Sequence, residues 1–127
     1  MTIKMYQILD FPIFFAKVKS QKLPFKTSYR LTMLAQEIEK HIAYYQEQFR
    51  NLLNEYGQKD ENDNLIPTSD GQGIRLLEDK IEEAYTKINE LRTLEVELPD
   101  YTLCAGDFDN IELSPEEMVV IIPFIKD

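Results

Sequence analysis

The side chains best suited to catalysis or metal binding are few in this sequence. His41 is the only histidine and Cys104 the only cysteine. Since a lone imidazole has no second histidine or neighbouring thiol with which to share a metal ion, we interpret His41 as a half-buried helix residue rather than a metal ligand or general base. Cys104 belongs to no CxxC pair, and we interpret it as a buried structural thiol rather than a reactive nucleophile.

One short segment has the spacing of a calcium site. Asp60, Asn62 and Asn64 stand two residues apart, as do the first ligands of an EF-hand loop. The match fails further along, because Leu65 occupies the position of the required glycine and Gly71 that of the bidentate glutamate. A solvated connection between helices explains these residues better, with weak calcium binding as the alternative.

Two further patterns are better explained by structure than by chemistry. The segment Gly71–Gln72–Gly73 precedes a helical pattern but lacks the rest of a phosphate-binding loop, so we assign it to a turn. Adjacent carboxylates are found at Glu82–Glu83, Glu116–Glu117 and Asp107 with Asp109. General acid–base catalysis needs a partly dry cleft around such groups, and no pattern predicts one. We therefore predict no catalytic residue, no metal site and no cofactor, and expect a protein that is not an enzyme.

The elements that would position any site are dominated by two apolar stripes at helical spacing. The stripes consist of Leu31, Leu34, Ile38, Ile42, Tyr45, Phe49, Leu52 and Tyr56, and of Ile74, Leu77, Ile81, Ala84, Ile88 and Leu91. Steps of three and four place each stripe on one side of a helix. Two such helices joined by a polar break pack most easily against each other. The pattern predicts an antiparallel helical hairpin over about 28–56 and 74–94.

Shorter elements are predicted on either side of the hairpin. Residues 1–9 favour a strand and residues 13–18 a short helix, while alternation at 95–98 and 110–113 favours two further short strands. A short C-terminal helix follows, because Ser114, Pro115 and Glu117 have the types and spacing of a capped helix start. The Leu65–Ile66 pair, in the middle of the polar break, favours a small β-ribbon.

These elements define the predicted fold class as α+β. A long antiparallel helical hairpin stands on a small base formed by the N- and C-terminal segments, with short strands and a short C-terminal helix. The 127 residues predict a single domain. Within it we distinguish an N-terminal arm (1–26), the hairpin (27–94) and a C-terminal base segment (95–127).

Charge is distributed unevenly along the chain, whose net charge is −9. Residues 1–30 carry +5 and residues 95–127 carry −8, so the two segments attract each other if the fold brings them close. An acidic chain is repelled by phosphate backbones, and we expect no nucleic-acid partner. There is no run of about 18 apolar residues, so we expect no membrane association through a spanning helix.

The hairpin offers the surfaces with which a non-enzymatic protein would bind a protein partner. Tyr44 falls outside the apolar stripe and is a candidate contact residue. The other candidate contact residues lie in the polar break and are Asp60, Asn62, Leu65 and Ile66. The long helix outreaches the short one by about 10 Å, which leaves about 48–56 to be covered by the tip loop or by a partner. This overhang favours a homodimer formed by helix packing.

Four stretches of the chain resemble a family of small uncharacterised proteins encoded by tailed phages and prophages of Gram-positive bacteria. They are Tyr56–Gly57–Gln58–Lys59–Asp60–Glu61–Asn62, Leu94–Glu95–Val96–Glu97–Leu98, Ile111–Glu112–Leu113–Ser114–Pro115–Glu116 and Pro123–Phe124–Ile125. The resemblance implies a phage-encoded, non-enzymatic protein located in the host cytoplasm or in the virion. We expect a structural, assembly or accessory role there. The alternative is an inhibitor of a host defence or transcription protein, with the acidic segment acting as a nucleic-acid mimic.

Overall fold

The computed structural model describes residues 1–126 and has the predicted α+β architecture. Its strands and α-helices are β1 (Thr2–Lys4), α1 (Phe11–Val18), α2 (Phe25–Tyr56), α3 (Ile81–Arg92), β2 (Glu95–Glu97) and α4 (Pro115–Ile121). Short 3-10 turns lie at Met5–Gln7, Glu78–Lys80, Ala105–Phe108 and Ile122–Phe124. Within the described residues, every helix is too short or too polar to cross a lipid bilayer.

The chain forms two compact units, which we describe separately. Unit 1 consists of Met1–Ile42 and the segment that begins at Glu95, and unit 2 is Ala43–Leu94. The long helix α2 contributes its first part to unit 1 and its last 14 residues to unit 2.

A small antiparallel sheet joins the N-terminal and C-terminal segments in unit 1. β1 pairs with β2 so that Ile3 lies opposite Val96, and both side chains are buried. Lys4 lies opposite Glu95 on the other face, with Lys4 Nζ 3.6 Å from the carboxylate. Alternation of side chains across a strand explains why one face is apolar and the other charged. The strands predicted within 1–9 and 95–98 are thus present, in shorter form.

The core of unit 1 is built around α1. Phe11 and Phe14 point inward, with the Phe11 ring centroid 5.7 Å from that of Phe124 and the Phe14 ring 6.5 Å from that of Phe108. The other buried apolar residues of this unit are Ile3, Met5, Ile8, Val18, Leu31, Leu34, Ile38, Val96, Leu98, Leu103 and Ile121. This core buries enough apolar surface to organise the unit.

Charged groups from the two ends of the chain also meet in unit 1, as the charge distribution predicted. Lys17 Nζ lies 2.6 Å from a carboxylate oxygen of Glu117. Arg30 donates a hydrogen bond to the backbone oxygen of Thr102 at 2.8 Å. Because the ion pair is partly exposed, it contributes less to stability than the apolar core does.

Helix α2 begins three residues earlier than the predicted residue 28. Pro24 precedes the first turn, and its carbonyl oxygen accepts a hydrogen bond from Ser28 N at 3.0 Å. Thr27 is buried within this turn and donates its hydroxyl proton to the carboxylate of Asp107. Threonine is a common N-cap residue. Here the hydroxyl of Thr27 instead binds Asp107, a residue of the C-terminal segment.

The strand predicted at 110–113 is wrong. Ile111 N donates to the carbonyl oxygen of Phe108 at 3.0 Å, which closes a turn instead. Ile111 and Leu113 are half-buried in irregular backbone. The alternating pattern identified the side chains that are partly buried. No strand forms, because a strand also needs a neighbouring strand with which to form hydrogen bonds.

Helix α3 is shorter than the predicted 74–94. It begins at Ile81, after the turn Glu78–Lys80, and ends at Arg92. The backbone of residues 74–77 is extended, with Arg75 N bonded to Ile66 O at 2.9 Å and Leu77 N to Tyr56 O at 2.8 Å. These hydrogen bonds to other segments of the same chain replace the helical ones, so Ile74 and Leu77 belong to the tip of the hairpin.

Candidate protein-interaction surface

The two helices of unit 2 run antiparallel, and a hydrogen bond joins the end of α2 to the first turn of α3. Tyr56, the last residue of α2, donates its hydroxyl proton to Glu83 Oε1 of α3 at 2.9 Å. Ala84, which follows Glu83 in α3, is only 1% exposed. Along α2 away from this point, the Tyr45 and Phe49 rings stack at a centroid distance of 5.8 Å, and both residues are half-buried.

Burial and hydrogen bonding both perturb Tyr56. Burial is the larger cause and the hydrogen bond to Glu83 the next, and together they raise the pKa of the phenol to about 12. The neutral hydroxyl is therefore the form that the contact stabilises. Tyr56 thus acts as a donor that fixes the register of α2 against α3.

The tip of unit 2 is a compact arrangement of three short segments. Gln58 N donates to Arg75 O at 2.7 Å, Arg75 N to Ile66 O at 2.9 Å, and Ile66 N to Gln58 O at 3.0 Å. The three backbone hydrogen bonds close a ring. Leu65 pairs with Lys59, and Pro67 with Ile74, through isolated antiparallel bridges, so the β-ribbon predicted at 65–66 is reduced to such bridges between three segments.

Gly57 is the residue on which the packing of the tip depends. A Cβ atom at this position would lie 2.5 Å from the carbonyl oxygen of Leu53 and 2.6 Å from a methyl carbon of Leu65. No side chain fits at these distances, so glycine is required by close approach. The compact tip brings the start of α3 directly beside the end of α2.

The overhang expected at residues 48–56 is therefore wrong, because α3 lies along this part of α2. The two helices instead enclose a shallow groove of about 270 Å³, which we call the hairpin groove. Its lining residues are Tyr44, Gln48, Asn51, Leu52, Glu55, Lys87, Leu91 and Leu94. Apart from the neighbours Asn51 and Leu52, successive lining residues in each segment are three or four residues apart, so each set shares one face.

The groove residues combine exposed and half-buried apolar side chains, a composition that suits protein binding. Tyr44 is 50% and Leu94 42% exposed, while Leu52 and Leu91 are half-buried at the floor. Uncharged amides at Gln48 and Asn51 lie between them. An apolar floor with an aromatic side chain at the rim is the composition of the centre of a protein-binding surface.

Only Tyr44 of the predicted contact residues lies in this groove. Asp60 and Asn62 are exposed in the tip, where Asp60 Oδ1 accepts hydrogen bonds from the backbone nitrogens of Asn62 and Asn64 at 2.9 and 3.0 Å. Leu65 and Ile66 are half-buried and help to build the tip. Tyr44 is 12 residues before the end of α2, about 18 Å along the helix, so the structure does not unite these residues in one site.

Sequence reasoning did not single out five residues of the groove, namely Gln48, Asn51, Glu55, Lys87 and Leu94, although the first three lie within the expected overhang at 48–56. Leu94 was taken only as the end of the second helix. The signal was the spacing of Lys87 and Leu91, four residues apart on one face of α3, with Leu94 two residues beyond the end of the helix.

The apolar stripe predicted that Ile81 lies in the seam between the two helices. This prediction is wrong, because Ile81 is 40% exposed. It stands at the first residue of α3, whereas Ala84, three residues further along, is 1% exposed. The seam runs along a narrower stripe of α3 than the apolar pattern indicated, because Ile81 and Tyr85 fall on the flank of that stripe.

The two side chains best suited to catalysis or metal binding, His41 and Cys104, have different environments. His41 is half-buried in α2, as predicted. Cys104 is exposed, and the prediction of a buried thiol is wrong. In this extended segment the neighbouring Leu103 takes the buried position, with its N and O bonded to Phe124 O and Lys126 N at 2.9 Å. Over residues 1–126 there is no cluster of three or more His, Cys, Asp or Glu side chains able to hold a metal ion.

The segment Gly71–Gln72–Gly73 lies in a polar turn of the tip, as the sequence predicted. Gly71 has φ of +71°, a conformation that favours glycine. Asp70 Oδ1 accepts hydrogen bonds from the Thr68 hydroxyl and from Gln72 N at 3.0 Å, and the first of these is the larger cause that lowers the pKa of Asp70. The carboxylate therefore closes a turn.

Comparisons of the chain with protein-family models, with curated proteins and with solved structures found no match.

Proposed function

We propose that this chain is a non-catalytic protein that acts by protein–protein contact through unit 2. The observation that carries the proposal is the small core of this unit. Of the apolar side chains in residues 43–94, all of which the structure describes, only Tyr56 and Ala84 are buried. The rest of the helix seam remains partly accessible to water, which favours a partner that covers it.

The context that we propose follows from the resemblance to phage and prophage proteins. In that context the chain works in the host cytoplasm or in the virion, in a structural, assembly or accessory role. The hairpin supports this role, because the hydrogen bond between Tyr56 and Glu83 joins its helices and a closed set of backbone hydrogen bonds orders its tip. A preorganised surface loses little conformational entropy when it binds.

The alternative, an acidic mimic of nucleic acid, has less support. A mimic needs carboxylates that are free to face a basic partner. Several carboxylates of the C-terminal segment instead have a cation within 4 Å. The pairs are Glu95 with Lys4, Glu97 with the amino group of Met1, Asp100 with Lys126 and Glu117 with Lys17.

The proposed function is tested by affinity capture with matched tyrosine variants. The tagged full chain is incubated with an extract of phage-infected Gram-positive cells, and captured proteins are identified by mass spectrometry. Tyr44→Ser removes the aromatic rim of the groove, whereas Tyr29→Ser removes a tyrosine of similar exposure, 53% against 50%, in unit 1. We expect Tyr44→Ser to reduce capture by at least about tenfold, and Tyr29→Ser to leave capture unchanged.

Equal capture by both variants and the unmodified chain would contradict the proposal. Circular dichroism of each variant shows whether the helix content is preserved. Since both tyrosines are half exposed, neither substitution is expected to unfold the chain.

A further inference from the structure

We infer that the partner of the hairpin groove is a second copy of this chain. The inference rests on the proposed function, because it names what covers the interaction surface of unit 2. In the complex, residues 43–56 and 81–92 of two copies pack as four helices, with a two-fold axis parallel to the helices. Every helix then has an antiparallel neighbour, as in common four-helix bundles.

The apolar part of the groove fits this occupant. Leu52 and Leu91 form its half-buried floor, and Leu94 and Tyr44 are exposed at one end. In a pair of helices, each side chain of the seam packs against only one other helix, so about half of its surface remains accessible to water. Two such pairs packed face to face give each seam a second layer, which completes its burial.

The charge of the groove selects a second copy over a partner of strong charge. The chain has a net charge of −9, so two copies repel each other over most of their surfaces. The charged residues that line the groove are Glu55 and Lys87, and Lys87 Nζ also lies 3.8 Å from Glu90 Oε2 on the same helix. The charges that line this face balance, so it is the face on which two acidic molecules meet with reduced like-charge repulsion.

The positions of these two charges are self-complementary. The hydrogen bond between Tyr56 and Glu83 fixes the register of α2 against α3. Relative to that level, Glu55 and Lys87 lie within about one helical turn of each other along the axis. The two-fold axis places α2 of one copy opposite α3 of the other, so that each Glu55 faces Lys87 of the second copy.

The size of the face predicts a weak complex. Helix α3 has 12 residues and is therefore about 18 Å long, and two adjacent helices are about 20 Å wide. This footprint lies below the roughly 800 Å² per partner of a standard interface. We expect a dissociation constant in the micromolar range, so that the complex is seen as a concentration-dependent equilibrium.

The test uses analytical ultracentrifugation of the full chain between about 1 and 500 μM. The unmodified chain is expected to shift from monomer to dimer over this range. Lys87→Glu and Glu55→Lys each place like charges opposite each other, and each is expected to weaken association by at least about fivefold. The double variant E55K/K87E exchanges the charges and is expected to restore association.

Matched controls make the same charge changes outside the groove. Lys80→Glu precedes α3, and Glu47→Lys lies on an exposed position of α2. Both are expected to leave the dissociation constant within about twofold, after correction for net charge by repeating the measurement at high salt. Circular dichroism shows for every variant that the helices remain folded.

Three outcomes overturn the inference. The chain stays monomeric at every concentration; it dimerises but the groove variants behave as their controls; or the double variant fails to restore association. If the chain is monomeric while Tyr44→Ser still loses a different captured protein, the inference fails and the proposed function stands. If Tyr44→Ser also has no effect on capture, both fail.

Discussion

At the scale of single residues, Glu117 combines two local roles with one long-range contact. Its backbone nitrogen donates to Ser114 Oγ at 3.2 Å and its carboxylate accepts from Ser114 N at 3.0 Å, which completes the capping box of α4. The carboxylate also pairs with Lys17. The hydrogen bond from Lys17, followed by those of Ser114, lowers the pKa of Glu117 to about 2.

This lowered pKa predicts a loss of stability in acid. The ordinary value is 4.5, so the contribution of Glu117 is complete above pH 4.5 and disappears as the pH falls towards 2. Glu117→Gln removes the titrating group, and we expect its free energy of unfolding to fall less between pH 5 and about 2 than that of the unmodified chain. Urea denaturation at several pH values measures this difference. Glu116→Gln, which removes the neighbouring exposed carboxylate, is the control and should follow the unmodified chain.

At the scale of elements, the tip depends on Gly57 because three segments converge on it. Gly57→Ala places a Cβ atom 2.5 Å from a backbone oxygen, which cannot move aside as a flexible side chain can. We expect a loss of about 2 kcal/mol in the free energy of unfolding. Gly73→Ala is a matched control, since the nearest atoms to its Cβ lie 3.8 Å away. Chemical denaturation that finds both variants equally stable would contradict the packing assigned to Gly57.

Two isoleucines of the original apolar stripes have different environments. Ile38 is 1% exposed in unit 1, whereas Ile81 is 40% exposed at the start of α3. Ile38→Asp buries a charge and is expected to cost about 4 kcal/mol or more, or to prevent folding. Ile81→Asp should cost less than about 1 kcal/mol because water still reaches the carboxylate. Thermal unfolding of both variants checks the assignment, and a severe loss with Ile81→Asp would contradict it.

At the scale of the whole molecule, apolar burial is concentrated in unit 1. Leu34 and Ile38, which belong to this unit, are at most 1% exposed, while Ile88 and Leu91 of α3 are only half-buried. We therefore expect the backbone amides of Leu34 and Ile38 to exchange with deuterium at least about tenfold more slowly than those of Ile88 and Leu91 in dilute solution. Hydrogen-exchange mass spectrometry measures the difference. Equal protection of the two helices at low concentration would show that α3 is stabilised by contacts not described above.

The local elements were predictable from sequence because their signals lie within a few residues. The capping box at Ser114 and Glu117 needs only two side chains and two backbone nitrogens, and it formed as predicted. Helix α2 ends at Tyr56, the last residue of the predicted apolar stripe. The apolar face of α2 was also predictable over Leu31, Leu34 and Ile38, since periodicity states which residues share a side.

The candidate site was predictable only in part, and Tyr44 is the residue that links prediction and structure. Its position outside the stripe indicated exposure. Glu55, Lys87 and Leu94 were not identified, because a groove depends on which faces of two helices adjoin. That relation is set by the contact of Tyr56 with Glu83, which are 27 residues apart in the chain.

The sequence by itself determined the long helix, the capped C-terminal helix and the attraction between oppositely charged segments, because each follows from spacing or composition. Only the tertiary structure decided that Ile74 and Leu77 leave the helical pattern, that Leu103 rather than Cys104 is buried, and that Ile81 stays exposed. The physical reason is that these outcomes depend on backbone partners and packing surfaces distant in sequence. Periodicity defines an apolar face, whereas the segments that pack on that face determine how much of it is buried.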